Sequence, residues 1–375
     1  MKILIVIDTL GSGGAQRLKT QLAKGLKKRN YNVEFFIYDS NHMFFESELI
    51  DADIKINLAE RQSKGFSFKV IIQLRKLIKT NNYDVVISSL HAPSIYASFA
   101  KFGIGKTKLI VCEESSSIAP VPFLKKYLFY LATLIADDLV TNSHHEANLI
   151  KNLPGRSHKT KVIWNGFDLS AFNSTRKNKF NKNGINKLLI VGRVAYPKNG
   201  MNLLKGLSLF EKRNGWLPEI NWVGRRDADI RSSKDTKSSS MIQEMDNYLI
   251  LNKNIESKWN WRGTVENVQD FYNSSDALLS VSIYEGMPMV IGEAMLSGCF
   301  VIASSICDNP LIIGKNKRGL LCNPHDPLSI CKAIEILCAM ENEKKKKIIT
   351  NAKEFAIKNL DYNKMVDKYE LLFNK

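Results

Sequence analysis

The feature that most limits the architecture is a series of short apolar runs, rich in β-branched residues, separated by stretches of helical period. Runs stand at Lys2–Asp8, Val33–Tyr38, Ile54–Leu58, Asp84–Ser89, Lys108–Cys112, Asp138–Thr141 and Lys161–Trp164. A second set stands at Lys187–Val194, Ile220–Gly224, Asp276–Ser282 and Phe300–Ser304. Several of these runs are apolar throughout, as strands buried on both faces must be. Strands alternating with helices imply an α/β chain with parallel sheets covered on both sides. At 375 residues the chain is too long for one ordinary core and suits two. The best linker is residues 166–186, polar, rich in Asn and Lys and without periodicity. The expected domains are therefore residues 1–165 and 187–360.

With 44% hydrophobic and 24% charged residues, the composition is that of a globular protein. The net charge of +17 implies an anionic partner. It is spread evenly: 23 basic against 14 acidic residues up to position 165, and 31 against 23 beyond it. No stretch combines a basic patch with interleaved aromatics, so nucleic acid is not the expected partner. An anionic membrane surface or a phosphate-bearing substrate is. Lys344–Lys347 reads as a solvated helix face. The six cysteines show no Cys-x-x-Cys spacing and read as reduced, buried thiols of a cytosolic protein. No signal peptide and no stretch of transmembrane length is read. Residues 122–136, PFLKKYLFYLATLIA, form the most apolar helical stretch, read either as a helix largely buried in the first domain or as one lying in a membrane interface.

Residues 276–305 carry the chemistry. They read strand, loop, helix, strand, with Gly286 and Pro288 at the helix entry, Pro288 as its first residue, and Gly298 after its end. In an open parallel sheet this loop lies where ligands bind, and helix N-termini there offer N–H groups to phosphate. Glu285 stands at the loop and Glu293 inside the helix. Carboxylates beside a phosphate site suit hydrogen bonds from sugar and ribose hydroxyls, with separate cations on the phosphates. Taken alone, the pair reads as a loop charge and a solvated helix face. Elsewhere, Gly11-Ser12-Gly13-Gly14 precedes a helix from Ala15 to Lys28, and His91 follows the run at 84–89, a place from which it can face a cleft.

The segment Glu285-Gly-Met-Pro-Met-Val-Ile-Gly-Glu293 resembles the Glu-x7-Glu donor motif of family-4 retaining glycosyltransferases. Val191-Gly192-Arg193 with Lys198-Asn199, Gly13-Gly14-Ala15-Gln16-Arg17, Asn165-Gly166-Phe167-Asp168 and Trp261-Arg262-Gly263-Thr264 are similar to further landmarks of that family. Gln16 replaces a more usual Glu, and Trp164 a more usual Pro. The resemblance implies a GT-B fold, two Rossmann-like domains facing a cleft, with the terminal helix at 361–375 crossing back to the first. It implies that Glu285 addresses the transferred sugar and Glu293 the nucleotide ribose. Arg193, Lys198 and the amides of Gly286, Met287, Pro288, Met289 and Val290 would surround the donor diphosphate, and Arg262 and Gly263 the base. Gly13, Gly14 and Arg17 would lie near donor and acceptor. At the tip after Lys108–Cys112, where relatives carry a His or a Glu-Arg-Asn run, this chain has Glu113 and Glu114, which with His91 are candidates for a catalytic role. The implied activity is transfer of a hexose or N-acetylhexosamine from a nucleotide sugar, expected to be a UDP-sugar, to a glycan or polyprenyl-diphosphate-linked glycan. It would need no metal and no cofactor, on the cytoplasmic side, peripheral to the inner face of the membrane. A nucleotide-sugar epimerase or a GT-B domain that binds without catalysis would share these motifs.

Overall fold

The computed structural model describes residues 1–59, 65–114, 122–172, 184–226 and 235–373. Most of the expected linker, and Ser115 and Ser116, lie outside the described residues. The chain divides into two compact units, Met1–Asp168 with Leu360–Lys375, and Leu169–Asn359.

The first unit holds β1 (Lys2–Ile7), β2 (Asn32–Ile37), β3 (Lys55–Leu58), β4 (Val85–Ser89), β5 (Lys108–Glu113), β6 (Asp138–Thr141) and β7 (Thr160–Val162). They form one parallel sheet in the order β3-β2-β1-β4-β5-β6-β7. The second unit holds β8 (Lys187–Val191), β9 (Glu219–Val223), β10 (Trp259–Gly263), β11 (Ala277–Ser280), β12 (Phe300–Ser304) and β13 (Leu320–Cys322). Its sheet is also parallel, in the order β10-β9-β8-β11-β12-β13.

The continuous apolar runs are explained by what covers them. Ile3, Ile5 and Ile7 pack with Leu18, Leu22 and Leu26 of the helix Gly14–Lys28 and with Met365, Val366 and Tyr369 of the helix Tyr362–Phe373. Leu4 and Val6 face the other way, against Val70, Leu74 and Ile95. These five apolar side chains of β1 are fully buried, each worth about 1.5–3 kcal/mol relative to exposure. The terminal helix thus completes the first unit, and Phe167 and Tyr362 exchange backbone hydrogen bonds with Leu360 and Phe167 where the chain returns.

One expectation changes, and one pair of alternatives narrows. Lys345 is not on a solvated face: it is 2% exposed and burial lowers its ammonium below the ordinary lysine range. The reason is spacing, since Ile348, Ile349 and Ala352 follow it at i+3, i+4 and i+7 and place it on the buried stripe of the helix Asn342–Asn359. The helix Phe123–Ile135, in turn, buries only Phe129, Ala132 and Thr133, while Phe123, Leu124, Tyr127 and Leu134 are exposed. Among the described residues, no helix is long and apolar enough to cross a membrane.

Candidate active site

Each sheet reverses its strand order once, between β1 and β4 and between β8 and β11. Loops leaving the carboxyl ends of those strands diverge, and open parallel sheets bind ligands in the crevice between them.

In the second unit the loop after β8 carries Gly192, Arg193 and Lys198. Gly192 has φ of 139°, and a Cβ there would stand 2.9 Å from Cε of Lys198, so the lysine stem lies against the glycine backbone. Asn199, in the left-handed region at φ 62°, donates its side-chain amide to the carbonyls of Val281 (3.0 Å) and Pro324 (2.7 Å). The amide of Ile283 donates to the carbonyl of Pro197 at 2.9 Å. The bonds to Val281 and from Ile283 tie the β8 loop to the β11 loop, that to Pro324 ties it to the loop after β13, and Nζ of Lys198 comes to 2.5 Å from Oε1 of Glu285. The Ser282 hydroxyl donates to the same oxygen at 2.8 Å, and the thiol of Cys307 to the Glu285 carbonyl at 2.9 Å. Both charged side chains are about one-fifth exposed, 22% and 20%. The residues assigned separately to phosphate and to sugar are therefore one ion pair, whose ammonium has three N–H donors to share.

The helix Met289–Leu296 begins at the same place. Pro288 is its N-cap, with ψ of 116°, and not its first residue as the sequence suggested. The extended ψ turns the chain into the helix one residue later, at Met289. No side chain caps this end, so its first amides present partial positive charge. Gly286 and Met287 are buried beneath. Glu293 accepts a hydrogen bond from the Tyr272 hydroxyl at 2.8 Å. Burial, then the neighbouring carboxylate, holds the Tyr272 phenol well above its ordinary range, so it stays a donor and fixes Glu293. Arg193 is exposed on its loop. Arg262 is not brought to this group: its guanidinium turns to Asn221 (2.6 Å) and Glu219 (3.2 Å), towards the amino end of β9. Gly263 accepts from the Gly224 amide at 2.7 Å.

In the first unit Gly13 is the N-cap and Gly14 the first residue of the helix Gly14–Lys28. Arg17 pairs with Glu48 at 2.5 Å, a carboxylate it shares with Lys24. His91 opens the helix His91–Lys101 after β4, and its Nε2 lies 2.8 Å from Oε2 of Glu113, which is 2% exposed. Glu114, one residue on, pairs instead with Lys19 at 2.5 Å. His91 and Glu113 line a pocket with Lys126, Phe129, Tyr130 and Leu149.

Sequence reasoning missed Lys19, Ser282 and Cys307. Ser282 and Cys307 give no local signal. Lys19 does: Leu22, Ala23 and Leu26 follow it at i+3, i+4 and i+7, which sets a cation on the apolar stripe.

Two family profiles match the chain. The profile described as "Glycosyl transferases group 1" matches residues 172–355, and that described as "Glycosyltransferase Family 4" matches residues 12–171. Together they take in nearly the whole chain.

The chain belongs to glycosyltransferase family 4.

This family-4 enzyme is similar to a Campylobacter jejuni protein named GalNAc-alpha-(1->4)-GalNAc-alpha-(1->3)-diNAcBac-PP-undecaprenol alpha-1,4-N-acetyl-D-galactosaminyltransferase, at 27% identity over 94% of this chain and 93% of that protein. It is 26% identical to the capsular polysaccharide biosynthesis glycosyltransferase CapH of Staphylococcus aureus, over 82% of each. The solved structure of Anabaena Alr3699/HepE in complex with UDP and glucose superposes with a TM-score of 0.83 at 19% identity, covering 99% of both chains. The fold is GT-B, and the enzyme is a glycosyltransferase of the surface-polysaccharide type.

Proposed function

We propose that this enzyme transfers a hexose or N-acetylhexosamine from a UDP-sugar to a polyprenyl-diphosphate-linked glycan, with retention of configuration and without a metal ion. The observation that carries this reading is the Lys198–Glu285 pair, set at the β8/β11 switch point beside the uncapped start of the helix Met289–Leu296. The names of the C. jejuni relative and of an Escherichia coli relative, "UDP-Gal:alpha-D-GlcNAc-diphosphoundecaprenol alpha-1,3-galactosyltransferase", support the donor and acceptor classes.

Breaking the sugar–phosphate bond requires stabilising the departing diphosphate while positive charge builds on the sugar. An enzyme must remove at least about 8 kcal/mol of barrier. A helix N-terminus supplies at most about 2 kcal/mol. Preorganised donors in a dry site are worth roughly 2.7–4 kcal/mol each, a role that falls first to Lys198, which the fold holds against Glu285, with Arg193 of the same loop as the second cation. Glu285, held by Ser282 and Lys198, accepts hydroxyls of the transferred sugar. Glu293, held by Tyr272, accepts those of the ribose. The acceptor oxygen attacks the face that the diphosphate leaves, and a donor phosphate oxygen takes its proton. In the first unit, His91 backed by Glu113 is the group assigned to the substrates.

The test is UDP release from a panel of UDP-N-acetylgalactosamine, UDP-galactose and UDP-glucose, with and without EDTA. Turnover of one donor, undiminished by EDTA and stimulated by a polyprenyl-diphosphate glycan, is the expected result. Loss of turnover in EDTA that added Mg²⁺ or Mn²⁺ restores rules out the metal-free route. Product that releases the inverted anomer rules out retention.

The exposed face of the helix Phe123–Ile135 supports a peripheral position on the cytoplasmic side of the membrane, with Phe123, Leu124 and Tyr127 entering the interface and Lys125 and Lys126 meeting anionic headgroups. Basic residues near such a surface contribute about 1 kcal/mol each. Lys125→Ala with Lys126→Ala should weaken sedimentation with phosphatidylglycerol vesicles by about 30-fold at low salt. Unchanged sedimentation would place the contact elsewhere.

A further inference from the structure

We infer that Lys19 and Glu114 form a buried clamp that positions His91 through the backbone turn at Leu90. The inference rests on the reading of His91 as a substrate-facing group.

Strand parity sets the arrangement. Along β5, Leu109 and Val111 face one core, while Ile110 and Cys112 face the other. Glu113 and Glu114 are consecutive, so the alternation carries them to opposite faces of the sheet. Glu113 meets His91, whose ring also lies edge-on to Phe129 with centroids 4.4 Å apart. Glu114 meets Lys19, and the two side chains are 0% and 3% exposed. Nζ of Lys19 also donates to the Tyr369 hydroxyl at 3.1 Å, which stands 3.5 Å from Sγ of Cys112.

The second Glu114 oxygen accepts from the hydroxyl of Ser89, the last residue of β4. Next comes Leu90, with φ of 74° and ψ of 167°, and then His91. A leucine at positive φ is strained and persists only where its surroundings over-determine it. Here Ser89 is anchored to Glu114 on one side, the Leu90 amide donates to the Cys112 carbonyl at 3.2 Å, and His91 is anchored to Glu113 on the other. A buried ion pair is no more stabilising than an apolar pair of the same volume. The Lys19–Glu114 pair does what an apolar pair cannot, because one Glu114 oxygen accepts from the Ser89 hydroxyl while the other lies against the Lys19 ammonium, which fixes the direction of the carboxylate. Burial works against the Lys19 charge, but its neighbours Cys112, Glu114 and Tyr369 together hold the ammonium well above the ordinary lysine range.

Lys19 and Glu114 are thus positioning residues, and their test reads the ring of His91 directly. Protein labelled with ¹⁵N and ¹³C in its six histidines gives one set of ring signals that His91→Ala removes. Lys19→Met, Glu114→Gln and Ser89→Ala should each move that set and leave the other histidines in place, while Lys19→Arg restores it. In UDP release, Lys19→Met should lower kcat by about 10- to 100-fold with little change in donor KM, and add nothing to His91→Ala. Unmoved His91 signals in folded Glu114→Gln and Ser89→Ala proteins overturn the clamp, also in the case that Lys19→Met does not fold. If His91→Ala turns over at the wild-type rate, the substrate role of His91 falls, and the ring signals alone still decide whether the clamp exists.

Discussion

Lys198→Ala should lower the transfer rate by about 10²–10³-fold and leave the melting temperature nearly unchanged. The fold fastens this ammonium at the switch point: its stem lies along Gly192 and its head is 2.5 Å from Glu285. A departing diphosphate gains charge as the sugar–phosphate bond breaks, so a donor fixed beforehand acts on the transition state more than on the bound substrate. The loss should therefore appear in kcat, with KM for the donor moving less. Stability should change little, because the Glu285 carboxylate left behind keeps the Ser282 hydroxyl as a donor and one-fifth of its surface in water. Lys198→Arg should recover only part of the rate, since a planar guanidinium on a longer stem does not put its charge at the same point. Glu285→Gln separates the two members of the pair, because it keeps the shape and removes the charge that holds the ammonium. A Lys198→Ala enzyme with wild-type kcat would show that the diphosphate is stabilised elsewhere.

The architecture was legible because parallel strands covered on both faces must be apolar at every position, as Ile3–Ile7 are. The loops were legible where a backbone device marks them, as Gly298 does at φ 69° after the helix Met289–Leu296. What the sequence concealed are contacts made across the fold. Lys198 and Glu285 are 87 residues apart, and no local pattern says that two side chains given different tasks neutralise each other. Arg262 sits next to Trp261 and Gly263 in sequence, yet its direction is set by Glu219 and Asn221 on the neighbouring strand. Lys345 was hidden in a run of four lysines, where charge suggests solvent and only the helical period reveals that one of the four points inward. Pro288 shows the remaining limit: proline announces a helix start without saying on which side of it the first helical residue falls.

The largest stability effect is expected at Gly224, where β9 ends beside the start of the Lys198 loop. Its φ is 143°, and a Cβ there would fall 2.1 Å from the carbonyl oxygen of Gly192, 2.5 Å from its carbon and 3.1 Å from the Arg193 amide. All three are backbone atoms, so no side chain can swing away to make room. The Gly192 carbonyl is also held by the indole N–H of Trp222 at 2.8 Å, and the Gly192 amide by the Val223 carbonyl at 2.8 Å. Gly224→Ala must then either separate the ends of β8 and β9 or distort the turn that aims Arg193 and Lys198. Strain at one such residue costs about 1–3 kcal/mol, and breaking the hydrogen bonds around it about 1 kcal/mol each. A loss of about 3–5 kcal/mol is expected in denaturant unfolding of the second unit. UDP-sugar turnover should fall with it, even at temperatures where the variant remains folded. Gly215→Ala is the control: its φ of 75° is also positive, but a Cβ there meets nothing within 4 Å, so it should cost only the backbone strain and spare turnover. Equal losses at the two positions would show that conformational strain alone, and not the close approach of the β8 and β9 ends, is what the glycine at 224 relieves.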